Sequence, residues 1–207
     1  MSQTVVVTGT DTDVGKTVFA AGLAAMLGAD YWKPVQAGTE DGGDAASVAA
    51  LGVAPGKILP EAYRLGTPCS PHRAAEIDGV EINLARLDPP RRDGALVVEG
   101  AGGALVPVTR QTLYADLFAR WGCPAVVVAS TRLGTINHSL LTLEALRARA
   151  VSILGVAFVG EANEDSERTI CDFGKVPRLG RLPWLDPLSA DSLAAAFRAN
   201  FSAGDFA

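Results

Sequence analysis

Short apolar runs rich in valine alternate along this chain with longer segments in which apolar residues recur at helical spacing. The first two pairs are a run at Thr4–Thr8 with a helical pattern at Val18–Leu27, and a run at Tyr31–Val35 with a helical pattern at Asp44–Leu51. Such alternation is typical of βαβ units. We therefore predict an α/β fold with a doubly wound, mostly parallel sheet and helices on both faces.

The alternation continues toward the C-terminus. The predicted strands are Ala95–Glu99, Ala125–Ser130, Ser152–Val159 and Leu179–Leu182, and the predicted helices are Leu113–Trp121, Asn137–Arg149, Glu164–Phe173 and Ala190–Phe201. Six prolines interrupt Gly52–Pro90, which favours a long functional loop there. The last residues, Ser202–Ala207, are expected to be frayed.

Composition favours one domain that acts on small molecules. The 207 residues, 48% hydrophobic and 20% charged, suffice for one core, so residues 1–207 are predicted to form a single domain. A net charge of −5 without a Lys/Arg-rich run argues against a nucleic-acid partner. No apolar run approaches the roughly 20 residues of a membrane helix, and the N-terminus does not resemble a leader. We expect a cytoplasmic protein without a membrane partner.

The cysteines do not form a disulfide or metal pattern. Cys69, Cys123 and Cys171 are odd in number and far apart. No C-x-x-C pair occurs among them, so neither a disulfide framework nor a zinc site is predicted. They are expected to be reduced and mostly buried thiols.

The segment Thr8–Thr17, T-G-T-D-T-D-V-G-K-T, lies between the first predicted strand and the first predicted helix. Gly-Lys-Thr in this context is the pattern of a phosphate-binding loop. Backbone N–H groups around Gly15 would surround a phosphate, Lys16 would reach the outer phosphates, and Thr17 would place its hydroxyl on Mg²⁺. The usual first glycine is displaced by one position, to Gly9, and the alternative is an ordinary Gly-rich turn. The loop predicts a P-loop NTPase-like fold.

Three further charged residues are candidates for a site at the carboxyl ends of the strands. Lys33 could point its ammonium at an anionic intermediate, or it could be an edge lysine that reaches water. Asp44 suits either a Mg²⁺ ligand or a helix N-cap. Glu99 ends an apolar strand, and because a buried unpaired carboxylate is costly, a cation is expected nearby. The following Gly100–Gly103 would let backbone approach a ligand, or form a plain turn.

Taken together, several segments resemble the dethiobiotin synthetase family. They are Thr8–Thr17, Lys33-Pro34-Val35, Ser70-Pro71-His72, Glu99–Gly103 and Leu133–His138, and the resemblance runs from residue 4 to about residue 185. It implies an ATP-dependent cyclo-ligase that carboxylates 7,8-diaminononanoate with CO₂ or bicarbonate and closes the ureido ring, giving dethiobiotin, ADP and phosphate in biotin synthesis. It also implies Mg²⁺ as cofactor, ATP as co-substrate, and a homodimer with composite active sites.

The resemblance further implies roles for individual residues. Lys16 would stabilise the transferred phosphoryl group and Lys33 the carbamate. Mg²⁺ would be held, directly or through water, by Thr17, Asp44 and Glu99. Nucleotide contacts are implied for Asp13, Val14, Gly15, Lys16, Thr17, Val18, Glu99, Gly100, Ala101, Gly102, Pro183, Trp184 and Leu185. Substrate contacts are implied for Thr12, Ala37, Arg132 and Asn137, and the helix with Asn137 would come from the second subunit.

Three positions depart from the pattern of this family. Ala37 stands where relatives often carry a hydroxyl, so only its backbone could contact substrate, and Thr39 is the candidate to compensate. Val159 lies where relatives commonly place an asparagine that reads adenine. Either Asn163 takes that role or base selectivity is relaxed. Arg132 replaces a lysine of some relatives and would keep the positive charge near the substrate carboxylate.

Two other functions on the same scaffold are less consistent with the sequence. An amide-forming synthase that uses a glutamine-derived amine usually needs an appended amidotransferase domain, for which 207 residues leave no room. A partitioning or positioning ATPase, which uses nucleotide as a switch, generally has a further lysine early in the phosphate loop, and Gly9–Gly15 has none. A basic membrane-binding tail is also missing from Ala190–Phe201. ATP hydrolysis that requires diamine and bicarbonate would separate ligase from switch.

Overall fold

The computed structural model describes residues 3–39 and 42–206. The strands there are β1 (Thr4–Gly9), β2 (Asp30–Trp32), β3 (Val35–Ala37), β4 (Tyr63–Leu65), β5 (Leu96–Gly103), β6 (Ala125–Ser130), β7 (Ile153–Val159) and β8 (Arg178–Leu182). The α-helices are α1 (Lys16–Leu27), α2 (Asp44–Ala50), α3 (Pro71–Asp78), α4 (Tyr114–Trp121), α5 (Thr135–Arg147), α6 (Glu164–Gly174) and α7 (Ala190–Asn200). Short 3₁₀ helices lie at Pro55–Lys57, Leu84–Leu87 and Ala203–Phe206. Within these ranges no helix is both long and apolar enough to cross a bilayer.

Six strands form one sheet in the order β2-β5-β1-β6-β7-β8, and all neighbouring pairs are parallel. A separate apolar cluster lies on each face. One cluster contains Phe19 of α1 and Phe197 of α7, and the other contains Phe118 of α4 and Leu143 of α5. Because both faces are covered, the central strands are near-continuous apolar runs. The predicted doubly wound parallel α/β fold is confirmed.

The order of the strands determines where a ligand can bind. β1 lies between β5 and β6, and the carboxyl ends of parallel strands meet at one edge of the sheet. Val7 is level with Glu99, and Gly9 is level with Gly103. The segment after β1 therefore lies beside Glu99. Because β5 extends through Gly103, the four residues after Glu99 belong to a strand and do not form the plain turn that was the alternative.

The predicted strand Tyr31–Val35 is two strands in the structure. β2 ends at Trp32 and pairs with β5, whereas β3 begins at Val35 and pairs with β4 in a separate two-stranded sheet. Pro34 lies at the break, and because proline has no N–H to donate, it cannot continue a central ladder. Lys33 is thereby placed between the two sheets.

The expectation of one long loop at Gly52–Pro90 is wrong in part. This stretch contains β4 and α3 as well as two 3₁₀ turns. Pro71 begins α3 and does not prevent it, because the first helical position needs no N–H donor. β4 pairs on one side only, with β3, so the neighbouring prolines do not interrupt a central strand.

The C-terminal end is ordered as far as Phe206, contrary to the fraying expected for Ser202–Ala207. The Phe206 side chain is fully buried, and its ring centroid lies 6.3 Å from that of Phe19 and 6.5 Å from that of Phe201. A buried aromatic ring contributes a large apolar area, which explains why this short segment docks. Ala207 lies outside the described residues.

The cysteines are free thiols, as expected, but they are less buried than predicted. Cys69 is exposed in the segment before α3, and Cys123 and Cys171 are half-buried. Burial raises the pKa of the Cys123 thiol and, with weaker charge effects, that of Cys171. The half-buried pair is therefore less reactive toward oxidants than an exposed thiol.

Candidate active site

The phosphate loop connects β1 to α1, and α1 begins at Lys16, two residues earlier than predicted. Gly15 precedes it in the left-handed region with φ 89°. A Cβ at Gly15 would lie 2.9 Å from Cγ1 of Val159, so both the backbone angle and the space favour glycine. No side chain caps the first turn of α1. Its N–H groups are therefore available to a phosphate.

Lys16 lies along the inside of the phosphate loop. Its Nζ donates a hydrogen bond to the backbone oxygen of Asp11 at 2.7 Å. A Cβ at Gly9 would lie 2.8 Å from Cδ of Lys16, so the displaced glycine makes room for the lysine side chain. Burial lowers the pKa of Lys16, and the nearby charge of Glu99 opposes this effect.

Glu99 is a fully buried carboxylate at the edge of the sheet, with 0% exposure. Its Oε1 accepts a hydrogen bond from the Thr17 hydroxyl at 2.8 Å and lies 3.4 Å from Nζ of Lys33. Its Oε2 accepts a hydrogen bond from the Tyr31 hydroxyl at 2.8 Å. Burial, followed by the charge of Glu99, raises the pKa of Tyr31 well above its usual value, so this hydroxyl remains a donor. Three donors therefore compensate the desolvation of the carboxylate.

Lys33 bridges Glu99 to Asp44. Its Nζ forms ion pairs with Oε1 of Glu99 and Oδ2 of Asp44, and its side chain is only 8% exposed. Burial lowers the pKa of Lys33, but the two carboxylates outweigh burial and the pKa is raised. The alternative of an edge lysine that reaches water is therefore wrong.

Asp44 is the first residue of α2 and not its N-cap, which is Gly43. Gly43 has no side chain that could cap the helix, and the Asp44 carboxylate pairs with Lys33. The backbone N–H of Asp44 donates to Oε1 of Gln36 at 3.1 Å. Gln36, which the sequence did not single out, thus links the start of α2 to β3.

The oxygen atoms of Thr17, Asp44 and Glu99 fit a hard cation. Because the carboxylate oxygen accepts, the Thr17 hydroxyl donates its hydrogen bond to Oε1 of Glu99 and keeps its lone pairs for another partner. The Lys33 ammonium between the two carboxylates shows that positive charge is stabilised here. No set of three His, Cys, Asp or Glu side chains in residues 3–39 and 42–206 could hold a metal alone. A cation here would need further ligands, and Mg²⁺ normally takes waters and phosphates.

These side chains line one cavity of about 630 Å³ at the carboxyl edge of the sheet. The predicted site residues in its wall are Thr12, Asp13, Gly15, Lys16, Thr17, Val18, Lys33, Ala37, Asp44, Glu99, Ala101 and Gly102. The remaining wall residues are Gln36, Pro68, Cys69, Ser70, Pro71 and Val106, most of them from the segment that was expected to be a loop. The volume suits a small-molecule ligand.

Proteins of known name that resemble the chain identify its family. A family model described as an AAA domain matches residues 3–192. The chain is 66% identical to the ATP-dependent dethiobiotin synthetase of Novosphingobium aromaticivorans, and the alignment covers 98% of each chain. It is 59% identical to the protein of the same name from Rhodopseudomonas palustris strain BisB18, over 100% of this chain and 99% of that relative. The chain belongs to the dethiobiotin synthetase family.

Solved structures outside the dethiobiotin synthetase family share the fold. The septum site-determining protein MinD of Pyrococcus horikoshii, in complex with Mg-ADP, superposes with a TM-score of 0.56 at 16% identity, covering 100% of this chain and 89% of that chain. A ParA family ATPase from Chlorobium tepidum gives a TM-score of 0.53 at 12% identity, covering 96% and 92%. At such identities the likeness shows the P-loop fold alone. The switch-type ATPase function is therefore not favoured over the family's own.

Some residues implied by the likeness to dethiobiotin synthetases lie outside the cavity. Arg132, between β6 and α5, and Asn137, in the first turn of α5, line a separate depression of about 570 Å³ that also includes Asn163. Trp184 is 52% exposed, and its ring centroid lies 5.7 Å from Cζ of Arg132. A single chain thus does not bring Arg132 and Asn137 to the cavity that contains Lys33.

Four other implied nucleotide residues also lie outside the cavity wall. Val14 is a buried residue of the phosphate loop, and Gly100 is an internal residue of β5. Pro183 and Leu185 follow β8 and are half-buried. The 630 Å³ cavity therefore contains the phosphate-binding part of the implied nucleotide site and not its base-binding part.

Val159 stands where the resemblance implies an asparagine, and Asn163 is the candidate to replace that asparagine. Both residues have structural contacts. Val159 is buried at the end of β7 and packs against Gly15 of the phosphate loop. The Asn163 side-chain oxygen accepts a hydrogen bond from the backbone N–H of Ser166 at 3.2 Å and caps α6. This cap uses the oxygen of the Asn163 amide and not its N–H donors.

Proposed function

We propose that the chain is an ATP-dependent dethiobiotin synthetase that carboxylates 7,8-diaminononanoate with CO₂ and closes the ureido ring to give dethiobiotin, ADP and phosphate. The observation that carries this proposal is the high identity to proteins of that name over nearly the whole chain. The cavity is consistent with it, because a phosphate loop and a second buried lysine share one wall. The cytoplasmic location expected from the sequence stays a prediction.

The proposed reaction moves negative charge in each step. An amine of the substrate adds to CO₂ and loses a proton to form a carbamate. A carbamate oxygen attacks the γ-phosphorus of ATP, which gives a mixed carbamic–phosphoric anhydride and ADP. The second amine attacks the carbonyl carbon, and phosphate leaves as the ring closes. Fixed positive groups that surround this charge, and the proximity of amine and anhydride, provide most of what such chemistry requires.

Lys16 and Lys33 are the proposed positive groups. The N–H groups at the start of α1 and the Lys16 ammonium would hold the phosphates of ATP. Lys33 would hold the carbamate, and its ion pairs with Glu99 and Asp44 keep its ammonium in place beforehand. Because the pKa of Lys33 is raised, the side chain keeps its proton at neutral pH and would act as an electrostatic stabiliser, not as a base.

Thr17, Asp44 and Glu99 are proposed to hold Mg²⁺, directly or through water. When bound, Mg²⁺ supplies positive charge that neutralises the phosphate oxygens. The contribution of the chain is to direct the Thr17 lone pairs away from Glu99 and to hold both carboxylates beside Lys33.

The proposal is tested by a product assay. Purified protein is incubated with Mg²⁺, bicarbonate and 7,8-diaminononanoate, and ATP, CTP and GTP are supplied separately. Mass spectrometry is expected to detect dethiobiotin with ATP. Product with several nucleotides would indicate relaxed base recognition around Val159. ATP hydrolysis that ignores the diamine, with no product from any nucleotide, would contradict the proposal and support a nucleotide switch.

We also propose a homodimer in which α5 of one subunit completes the site of the other. Asn137 and Arg132 would receive the substrate carboxylate, yet in one subunit they lie outside the cavity with Lys33. Leu133, with relative exposure of 107%, and Leu141, at 56%, lie on the same segment. Exposed leucines beside this polar depression support a surface that another subunit would cover.

Replacing both Leu133 and Leu141 with lysine is expected to convert the proposed dimer to a monomer. The substitutions would remove apolar contacts from the interface and place positive charges on both subunits there. Light scattering after size-exclusion chromatography measures the mass. Diamine affinity is expected to fall while ADP affinity is kept. Ile77→Lys on α3 changes a similarly exposed residue and should leave the dimer intact. A wild-type monomer with full activity would disprove the composite site.

A further inference from the structure

We infer that Tyr31 is a positioning residue of this site: its hydroxyl fixes the Glu99 carboxylate so that Oε1 and the Thr17 hydroxyl are presented to the metal of a bound Mg–nucleotide. This inference rests on the proposed metal site. It concerns a residue of β2 that the motifs of the sequence did not single out.

The geometry places Tyr31 directly behind Glu99. Tyr31 is level with Val97 on the neighbouring strand β5. Residues two apart on a strand point to the same face of the sheet. Glu99 therefore lies on the same face as Val97, two residues further along β5. The Tyr31 hydroxyl donates to Oε2 of Glu99 at 2.8 Å. Tyr31 has 0% exposure, so it acts on a ligand only through Glu99.

The hydrogen bond from Tyr31 gives the two oxygens of the Glu99 carboxylate different partners. The terminal torsion of a glutamate side chain is broad, so its own rotamer preference does not select an orientation. With Oε2 held by Tyr31, Oε1 is the oxygen left for Thr17 and Lys33. The Thr17 proton is thereby directed to Oε1, and its lone pairs are left for a cation.

Tyr31 also differs from the other two donors to Glu99. Thr17 and Lys33 line the cavity, so a bound ligand would contact them directly. Tyr31 belongs to the apolar cluster that contains Phe19 and does not line the cavity. Its hydrogen bond can therefore persist while the partners of Oε1 change. Supporting groups of this kind orient the ligands of metal sites.

The test is the gain in ADP affinity that Mg²⁺ produces, measured by calorimetric titration with Mg²⁺ and with EDTA. For Tyr31→Phe we expect unchanged affinity in EDTA and a gain from Mg²⁺ that is smaller by about 10-fold, as for other supporting groups of metal sites. Tyr63→Phe is the matched control, because the buried Tyr63 hydroxyl accepts from the Asn83 N–H at 2.8 Å, outside the cavity. It should keep the wild-type gain.

A second set of variants, in which Glu99 is also replaced, keeps the test decisive if Tyr31→Phe alone folds poorly. Glu99→Gln removes the buried charge that Tyr31 supports, and in that background Tyr31→Phe should cause no further loss of the gain from Mg²⁺. An unchanged gain in Tyr31→Phe, or a further loss in the double variant, would overturn the inference. A wild-type protein with no gain from Mg²⁺ would instead overturn the proposed metal site, so the two failures are distinguishable.

Discussion

Replacing Lys33 with methionine is expected to lower the rate of dethiobiotin formation by about 10²–10³-fold, the usual effect of removing one preorganised charge partner of a transition state. The ammonium is held in advance by Glu99 and Asp44, so its contribution needs no rearrangement during the reaction. ADP affinity should change little, because the phosphates are assigned to Lys16 and the start of α1. Steady-state product formation and ADP titration measure the two quantities.

The Lys33 variant also tests how the buried carboxylates depend on their partner. Removing one partner of a buried ion pair typically costs about 3–5 kcal/mol, so a lower melting temperature is expected. The assay should therefore be made where the variant is shown to be folded. Lys57→Met is the matched control, since Lys57 is half exposed, donates to the backbone oxygen of Gly28 at 2.7 Å and lies outside the cavity. Lost nucleotide affinity with normal turnover of bound substrate would refute the role of Lys33.

Replacing Lys16 with methionine is expected to weaken both nucleotide binding and turnover. Hydrogen bonds to charged groups contribute about 1.5–3 kcal/mol, so ADP affinity should fall by roughly 10–100-fold. Turnover should fall by about 10²-fold or more, because the same ammonium would stabilise the negative charge on the phosphoryl group during its transfer. ADP titration and single-turnover kinetics at saturating ATP separate the two effects.

The Lys16 variant needs a control in which a lysine outside the cavity is replaced in the same way. Lys175 ends α6 in a left-handed conformation, and it does not line the cavity. Lys175→Met should bind ADP and turn over substrate as the wild type does. Wild-type ADP affinity in the Lys16 variant would contradict the assignment of the phosphate loop, and the full-length family relationship would then need another nucleotide site.

Most of the main sheet was predictable because the information is local. Valine-rich runs and helical spacing describe β1, β5, β6 and β7 and the helices between them. The predictions from sequence are wrong where tertiary contacts determine the structure of a segment. Pro34 divides one apolar run between two sheets, and Phe206 docks a short terminal segment on a core that sequence spacing does not show. Pro71 is one of the six prolines that favour a loop in the sequence, although it occupies the first helical position of α3.

The candidate site shows the same division. Lys16 and Thr17 belong to a contiguous motif, and Glu99 was expected beside them because parallel strands share one edge. The ion pairs that join Lys33 to Asp44 and Glu99 could not be predicted, since they depend on distances between separate elements. Tyr31 was missed because, within an apolar strand, a tyrosine with a hydrogen-bonding role in the site looks the same as one that only fills the core. The proposed roles of these residues stay predictions.

The hydrogen bond between Thr17 and Glu99 joins residues 82 positions apart in the chain. It requires the parallel pairing of β1 with β5, and such long-range pairings form slowly because a long loop must first be closed. The phosphate loop can therefore be complete in sequence during synthesis while Thr17 and Glu99, two of the proposed metal ligands, have not yet met. A nucleotide would bind only the finished sheet, so it stabilises the folded state by mass action and does not guide the early steps of folding.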